Sequence, residues 1–168
     1  MTSGDEGRGE ASAMPGVKVL DFADTPEEVF TRWDIVGHQV NRHLVSAALT
    51  GTPDIVAELI TFPPGFVHHM HRHPHADLFM LPLSGSVRSF GVPGPAVDLH
   101  PEQLLVVPRN NWHEVRNLCD ENCTVLHIFT GAGVLSVADI GFEPYQQSPL
   151  RADEQDQPLD AEEGRPCE

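Results

Sequence analysis

Five of the ten histidines of this chain fall between His68 and His75, inside the stretch that runs from Gly65 to Gly85. If that stretch is extended, alternate side chains point to opposite faces, so His69, His71 and His73 share one face while His68 and Met70 share the other. Two imidazoles on one face can grip a single metal ion, and Asp77, just beyond Pro74-His75, offers a carboxylate to join them. Imidazole nitrogen with carboxylate oxygen suits iron, manganese, nickel, copper or zinc, so the donor types narrow the metal only to the divalent transition series. The same tract is also readable without a metal, as an exposed histidine-rich surface or as polar residues satisfied within a sheet wall. A second cluster, Pro108 to Asn117, adds His113 at the start of a strand-like run after a Pro-and-Asn turn.

The two segments resemble the paired motifs of the cupin superfamily, G-x5-H-x-H-x3,4-E-x6-G and G-x5-P-x-G-x2-H-x3-N. Gly65, His71, His73, Pro108, His113 and Asn117 stand at the family's spacing. Asp77 stands where the family usually has Glu, with seven residues rather than six before Gly85, and Glu102 and Asn110 stand where the second motif has glycines. The resemblance implies an all-β fold, an antiparallel double-sheet jelly roll. It implies a mononuclear metal centre in which His71, His73 and His113 are neutral ligands and Asp77 is the anionic one. The activity it implies is that of an Fe(II)-dependent dioxygenase acting on a small organic molecule. A non-oxidative isomerase, cyclase or lyase that uses the metal as a Lewis acid is the alternative, and a non-catalytic ligand- or metal-binding barrel is the third class.

The elements that must position these groups are legible as short apolar runs at about 43–50, 55–62, 66–73, 77–83, 86–91, 96–100, 103–108, 112–118, 123–130 and 134–140. Turn chemistry separates them: Thr50-Gly-Thr-Pro-Asp54, Pro63-Pro-Gly65, Ser84-Gly-Ser86, Val92-Pro-Gly-Pro95 and Thr130-Gly-Ala-Gly133. Short strands at such spacing indicate an antiparallel sandwich or barrel. Ahead of them, Val17 to Phe22 reads as a strand. Thr25-Pro-Glu-Glu28 reads as the capped start of a helix whose apolar stripe is Val29, Phe30, Trp33 and Val36.

A symmetric hairpin centred on Glu121 places Cys119 opposite Cys123, Asn117 opposite Val125, Val115 opposite His127 and His113 opposite Phe129. On that register His127 looks into the same cavity as the metal, as a proton shuttle or second hydrogen-bonding partner, or else it bonds a wall carbonyl. Phe79, Leu81, Phe90, Val115 and Phe129 are the candidate substrate-lining residues of an apolar pocket. Arg88 and Arg116 are cations that could hold a substrate carboxylate if either faced inward, although the register turns Arg116 out. Trp112 reads as a shield beside His113.

Length and composition indicate one domain at 16–146, preceded by a disordered segment at 1–15 and followed by an acidic tail at 147–168. A formal charge of -15, with only ten Lys and Arg, argues against nucleic acid or an anionic membrane as partner and leaves a small-molecule substrate. Three cysteines, Cys119, Cys123 and Cys167, do not make a secreted disulfide framework, and a Cys119 to Cys123 bridge is disfavoured in a reducing compartment. No apolar run reaches membrane-spanning length, and the start lacks a charged-then-apolar leader pattern, so the expected location is the cytoplasm. Pairing of edge strands into a homodimer is expected.

Overall fold

The computed structural model describes residues 19–136 and 138–145. The expected disordered segments at both ends therefore lie outside the described residues, as does Cys167. Twelve strands are described in chain order: β1 (Glu28–Phe30), β2 (Ile35–Val36), β3 (Gln39–Val45), β4 (Ile55–Phe62), β5 (Val67–Arg72), β6 (Asp77–Ser84), β7 (Val87–Val92), β8 (Val97–Leu99), β9 (Leu105–Val107), β10 (Trp112–Asn117), β11 (Cys123–Thr130) and β12 (Glu143–Pro144). They form two antiparallel sheets. One has the order β1-β3-β4-β11-β6-β9 and the other β12-β5-β10-β7-β8, with β2 also pairing β5.

Of the eleven connections between consecutive described strands, only β3–β4 and β7–β8 stay within one sheet, and the other nine change sheet. Successive strands therefore face one another across the core more often than they pair. The motif glycine Gly85 sits at one such crossing, where a Cβ would lie 2.5 Å from Cys123 Sγ and where φ is +73°. Only a residue without a side chain fits both demands.

Alternation is strict where the core is thickest. On β11, Cys123, Val125, His127 and Phe129 are buried while the residues between them are not. Phe62 and Phe66 stack with ring centres 4.2 Å apart, and Val56, Ile60, Leu78, Met80, Val87 and Val125 are almost wholly shielded from solvent. Each such side chain contributes about 1.5–3 kcal/mol by leaving water.

Three expectations about elements are corrected. Residues 25–36 are not helical: Glu28–Phe30 pairs as an edge strand with Gln39–Asn41, and Ile35–Val36 pairs with Val67–His68. The apolar stripe of that segment has no wall to cover, since Trp33 and Val29 stay exposed, while edge pairing satisfies its backbone. Among the described residues the α-helix is a single turn at Ala47–Thr50, capped by Ser46 and by left-handed Gly51, so the run at 43–50 ends as a strand at Val45, and Phe22–Asp24 forms a 3-10 turn. No strand forms among the described residues of 134–140 or at 19–22. Instead, Asp139 accepts backbone hydrogen bonds from Gly133 and Val134 at 2.7 Å each and folds the former segment into turns.

The hairpin at Glu121 is corrected as well. β10 pairs with β5 and β7, and β11 with β4 and β6, so the two strands lie in opposite sheets. Asn117 organises the crossing: its Nδ2 donates to the carbonyls of Phe62 (2.9 Å) and Glu121 (2.8 Å), and its Oδ1 accepts from Cys119 N–H (2.7 Å) and the Cys123 thiol (2.7 Å). Cys123 is a free buried thiol with its Sγ 3.5 Å from that of Cys119. Because both strands keep the assumed phase, Asn117, Val115, His113, Val125, His127 and Phe129 all point into the core from facing walls rather than from paired strands.

Candidate metal centre

His113 on β10 sits opposite His71 on β5, but Val115 sits opposite His68. Three residues of β5 therefore span what two of β10 span, which is a β-bulge. The bulge resets the alternation. His71 points inward and is 2% exposed, and His68 rather than His69 joins it, their rings stacked 3.9 Å apart. His69 serves through its backbone, since its carbonyl accepts a hydrogen bond from His71 Nδ1 at 2.7 Å.

The other two site histidines are oriented in the same manner. His73 Nδ1 donates to the Gly141 carbonyl at 3.0 Å, and His113 Nδ1 donates to the Asn111 carbonyl at 3.2 Å. Gly141 is required there: a Cβ would lie 2.7 Å from Pro74 Cδ, and φ is +76°. With each Nδ1 committed as a donor, each Nε2 keeps its lone pair, the tautomer a metal ligand needs. One nitrogen from each of His71, His73 and His113 lies within 4.8 Å of the others. Burial, their largest cause of shift, holds His71 well below the ordinary imidazole range, His73 at about 4 and His113 at about 3. All three are neutral at pH 7, and the residues present fit a divalent transition metal.

Asp77 does not join them. Leu78, Met80 and Pro82 are the inward residues of β6, so Asp77 faces out, where its carboxylate accepts from Arg109 N–H (2.8 Å) and from Arg109 Nη2 (2.8 Å). These bonds hold its carboxyl below the usual range. Leaving the six residues before Gly85 that the motif requires gives Leu78, with four residues between it and His73, a spacing the motif allows. Leu78, 2% exposed and lining the cavity, thus occupies the carboxylate's place.

The phase of β6 also turns Phe79 and Leu81 outward, because a one-residue offset moves a whole strand face. Phe90 lies on the outer face of β7, under the Arg116 guanidinium 4.9 Å from its ring centre. Arg116 itself bonds Glu114, and Arg88 bonds Asp98. Trp112 packs against Tyr145 and Arg72 rather than over the histidines. Val115 and Phe129 do line the cavity, as does His127, which lies on β11 in the wall facing the histidine corner.

That cavity, about 370 Å³, has the histidine corner on one sheet and a polar row on the other. His127 Nε2 is buried and has no hydrogen-bond partner; burial holds the ring at about 3, so it is neutral. Beside it on β4 is Glu58, which the spacing of motifs does not single out. Near the histidine corner, Arg32 bonds the buried Asp34 (Nη2 to Oδ2 2.8 Å) and lies over the Phe142 ring at 3.6 Å. His68 Nε2 is 3.0 Å from Asp34 Oδ2. Burial alone would raise Asp34, but the His68 and Arg32 contacts outweigh it and hold the carboxyl below the usual range.

A family model described as "Cupin domain" matches residues 58–129, the span that holds all three site histidines. Residues 58–129 are a cupin domain. No curated protein matches it in sequence. Among solved structures it is similar to the polyketide cyclase RemF from Streptomyces resistomycificus, with a TM-score of 0.67, 15% identity, 85% of this chain covered and 95% of that one. A predicted oxalate decarboxylase from Thermotoga maritima gives 0.60, 16%, 67% and 98%. KdgF from Halomonas sp. gives 0.57, 18%, 69% and 94%. These likenesses establish the cupin fold. In this cupin Glu58, Asp34 and Arg32 carry no sequence signal, and His68, visible in the histidine tract, is placed by simple alternation on the opposite face. Only the six-residue count back from Gly85 could have exposed the loss of the carboxylate.

Proposed function

We propose that this cupin is a metal-dependent enzyme that rearranges a small, largely apolar carbonyl compound without net oxidation, as an isomerase, cyclase or lyase does. One observation carries it: the three neutral histidines converge on the cavity with Leu78, not a carboxylate, beside them. When bound by His71, His73 and His113, a divalent transition metal supplies a Lewis acid whose charge no ligand has reduced. Phe62, Leu78, Met80, Val115 and Phe129 hold the apolar body of the substrate and keep water away from it. His127 presents one unpartnered nitrogen from the facing wall, where it can exchange a proton with the bound substrate. Support comes from similar structures named as a polyketide cyclase and a predicted oxalate decarboxylase.

The test is hydrogen–deuterium exchange at the central carbon of pentane-2,4-dione, followed by NMR under nitrogen with zinc-loaded protein. Exchange faster than with the His113→Ala variant is expected; equal rates overturn the reading. Iron-dependent dioxygenation is the second reading, favoured by the apolar walls that would shield a reactive species. Uptake of dissolved oxygen by ferrous-loaded protein with the same diketone, above that of His113→Ala, would put it first.

A further inference from the structure

The wall facing the three histidines has its own chemistry. Across the sheet, His43 pairs with Glu58 and Glu58 pairs with His127. Cross-strand neighbours on one face have Cβ atoms about 4.5–5.5 Å apart, so the carboxylate and the imidazole stand side by side. Hydrogen bonds on this wall converge on a single atom. Gln39 Nε2 donates to Asn41 Oδ1 (2.9 Å), Asn41 Nδ2 donates to Glu58 Oε1 (3.2 Å), and His43 Nδ1 lies 2.8 Å from the same Oε1. Glu58 is 2% exposed, and its contacts among the described residues, from Asn41 and His43, both fall on Oε1, so Oε2 is the oxygen left for a ligand. His127, 8% exposed, adds the buried Nε2 without a partner. A buried polar atom left unpaired is costly and calls for a ligand to satisfy it.

We propose that Glu58 and His127 form a subsite that recognises an uncharged hydroxyl group, phenolic or enolic, on the side of the substrate turned away from the three histidines. This names the substrate class for the function proposed above and rests on that reading only in sharing its cavity. A hydroxyl can donate to the Glu58 carboxylate and meet His127 Nε2 with its own oxygen or through the same proton, according to the tautomer. Carboxylates and phosphates are excluded from this side by charge. The cations that line the cavity, among the described residues, are Arg32 and His43, and each is already matched: Arg32 with Asp34, and His43 with Glu58 and Glu28. Glu58 first, and Glu28 with it, raise His43 to about 9, so the positive charge on this wall is spent within it.

Three probes that differ at one position test this on the full chain without metal, by titration calorimetry: acetophenone, 4-hydroxyacetophenone and 4-acetylbenzoate. Wild type should bind the hydroxy compound about tenfold more tightly than acetophenone, the scale of one hydrogen bond to a charged acceptor, and the carboxylate more weakly than either. Glu58→Gln keeps the side-chain shape and removes the charge, so the preference should fall to about threefold or less while acetophenone affinity holds. Equal binding of all three probes by wild type, or a preference unchanged in a folded Glu58→Gln protein, overturns the subsite. A parallel zinc titration separates the two proposals. Stoichiometric zinc without hydroxyl preference sinks the subsite alone, and hydroxyl preference without zinc binding sustains the subsite while removing the metal-dependent reading.

Discussion

Asp77 and Glu58 are carboxylates of the same sheet, on strands separated by β11, and they face opposite ways. Asp77 has the right chemistry close to the right spacing, yet it lies on the outer face in an ion pair with Arg109. Glu58 belongs to no motif, yet it is buried in the cavity wall between His43 and His127. The difference is one of strand phase. Asp77 is followed by Leu78 and Met80 as the inward residues of β6, whereas Glu58 falls between Val56 and Ile60, themselves inward on β4. In a two-sided sheet, side-chain chemistry is available to the cavity only at alternate positions, whatever the residue type.

Metal affinity should separate the two faces most sharply. His71→Ala, His73→Ala or His113→Ala should weaken zinc by at least about a hundredfold in competition with a chelator, since each loss also removes an ordered ring from a small set. Asp77→Asn should leave zinc affinity as in wild type. A loss in Asp77→Asn approaching that of the histidine variants would return Asp77 to the metal and erase the contrast.

Stability should separate the carboxylates next. Glu58→Ala strips the acceptor from Asn41 and His43 within a closed wall and should cost about 2–3 kcal/mol in urea unfolding, allowing for the partly open side of His43. The Asp77–Arg109 pair stands in solvent, so Asp77→Ala should shift the midpoint far less. Comparable losses in the two variants would mean that Glu58 is better solvated than its burial indicates.

A pH series sharpens the same point. His43 titrates near 9 when folded against 6.5 as the ordinary value, because Glu58 and Glu28 favour its charged form. A raised folded value means that the native state keeps a proton the unfolded chain has released. Stability from this pair is therefore complete below pH 6.5 and drains as pH rises through about 9. Glu58→Gln should flatten that decline, and Asp77→Asn should leave its slope alone. Melting temperatures at several pH values between those limits would show which occurs.

Much of this was legible because alternation and turn residues report local structure directly. The bounds of β4, β6, β10 and β11 fall within a residue of the apolar runs, and His71, His73 and His113 follow from their spacing. What escaped was non-local. Asp120-Glu-Asn122 looks like the turn of a paired hairpin, but the Asn117 side chain uses that connection to send the chain into the other sheet. The bulge that brings His68 beside His71 depends on a register with β10 that no β5 residue announces. Thr25 to Val36 carries helix-capping residues, and edge pairing overrode them.

The smallest effect concerns the motif's second departure, where the conformation survived although the residue changed. Glu102 and Asn110 stand at the motif's glycine positions, and both adopt the left-handed backbone, with φ of 72° and 68°. Asn accepts that region through local hydrogen bonding, but Glu has no such help, and a left-handed L-residue costs about 1–2 kcal/mol. The surrounding turn enforces the conformation: Gln103 N–H donates to the His100 carbonyl at 3.2 Å, and Gln103 Oε1 accepts from His100 N–H at 2.9 Å. Glu102→Gly removes the strain and adds about 0.5–1 kcal/mol of chain entropy to the unfolded state, so the net should be a gain of roughly 0.5 kcal/mol. Asn110→Gly starts with less strain and should gain less or nothing. Urea midpoints of the two variants measure the difference. A destabilised Glu102→Gly would mean that this exposed carboxylate contributes something the turn depends on. A gain confined to Glu102 would show that the motif constrains backbone at this position, as it constrains side-chain phase at Leu78.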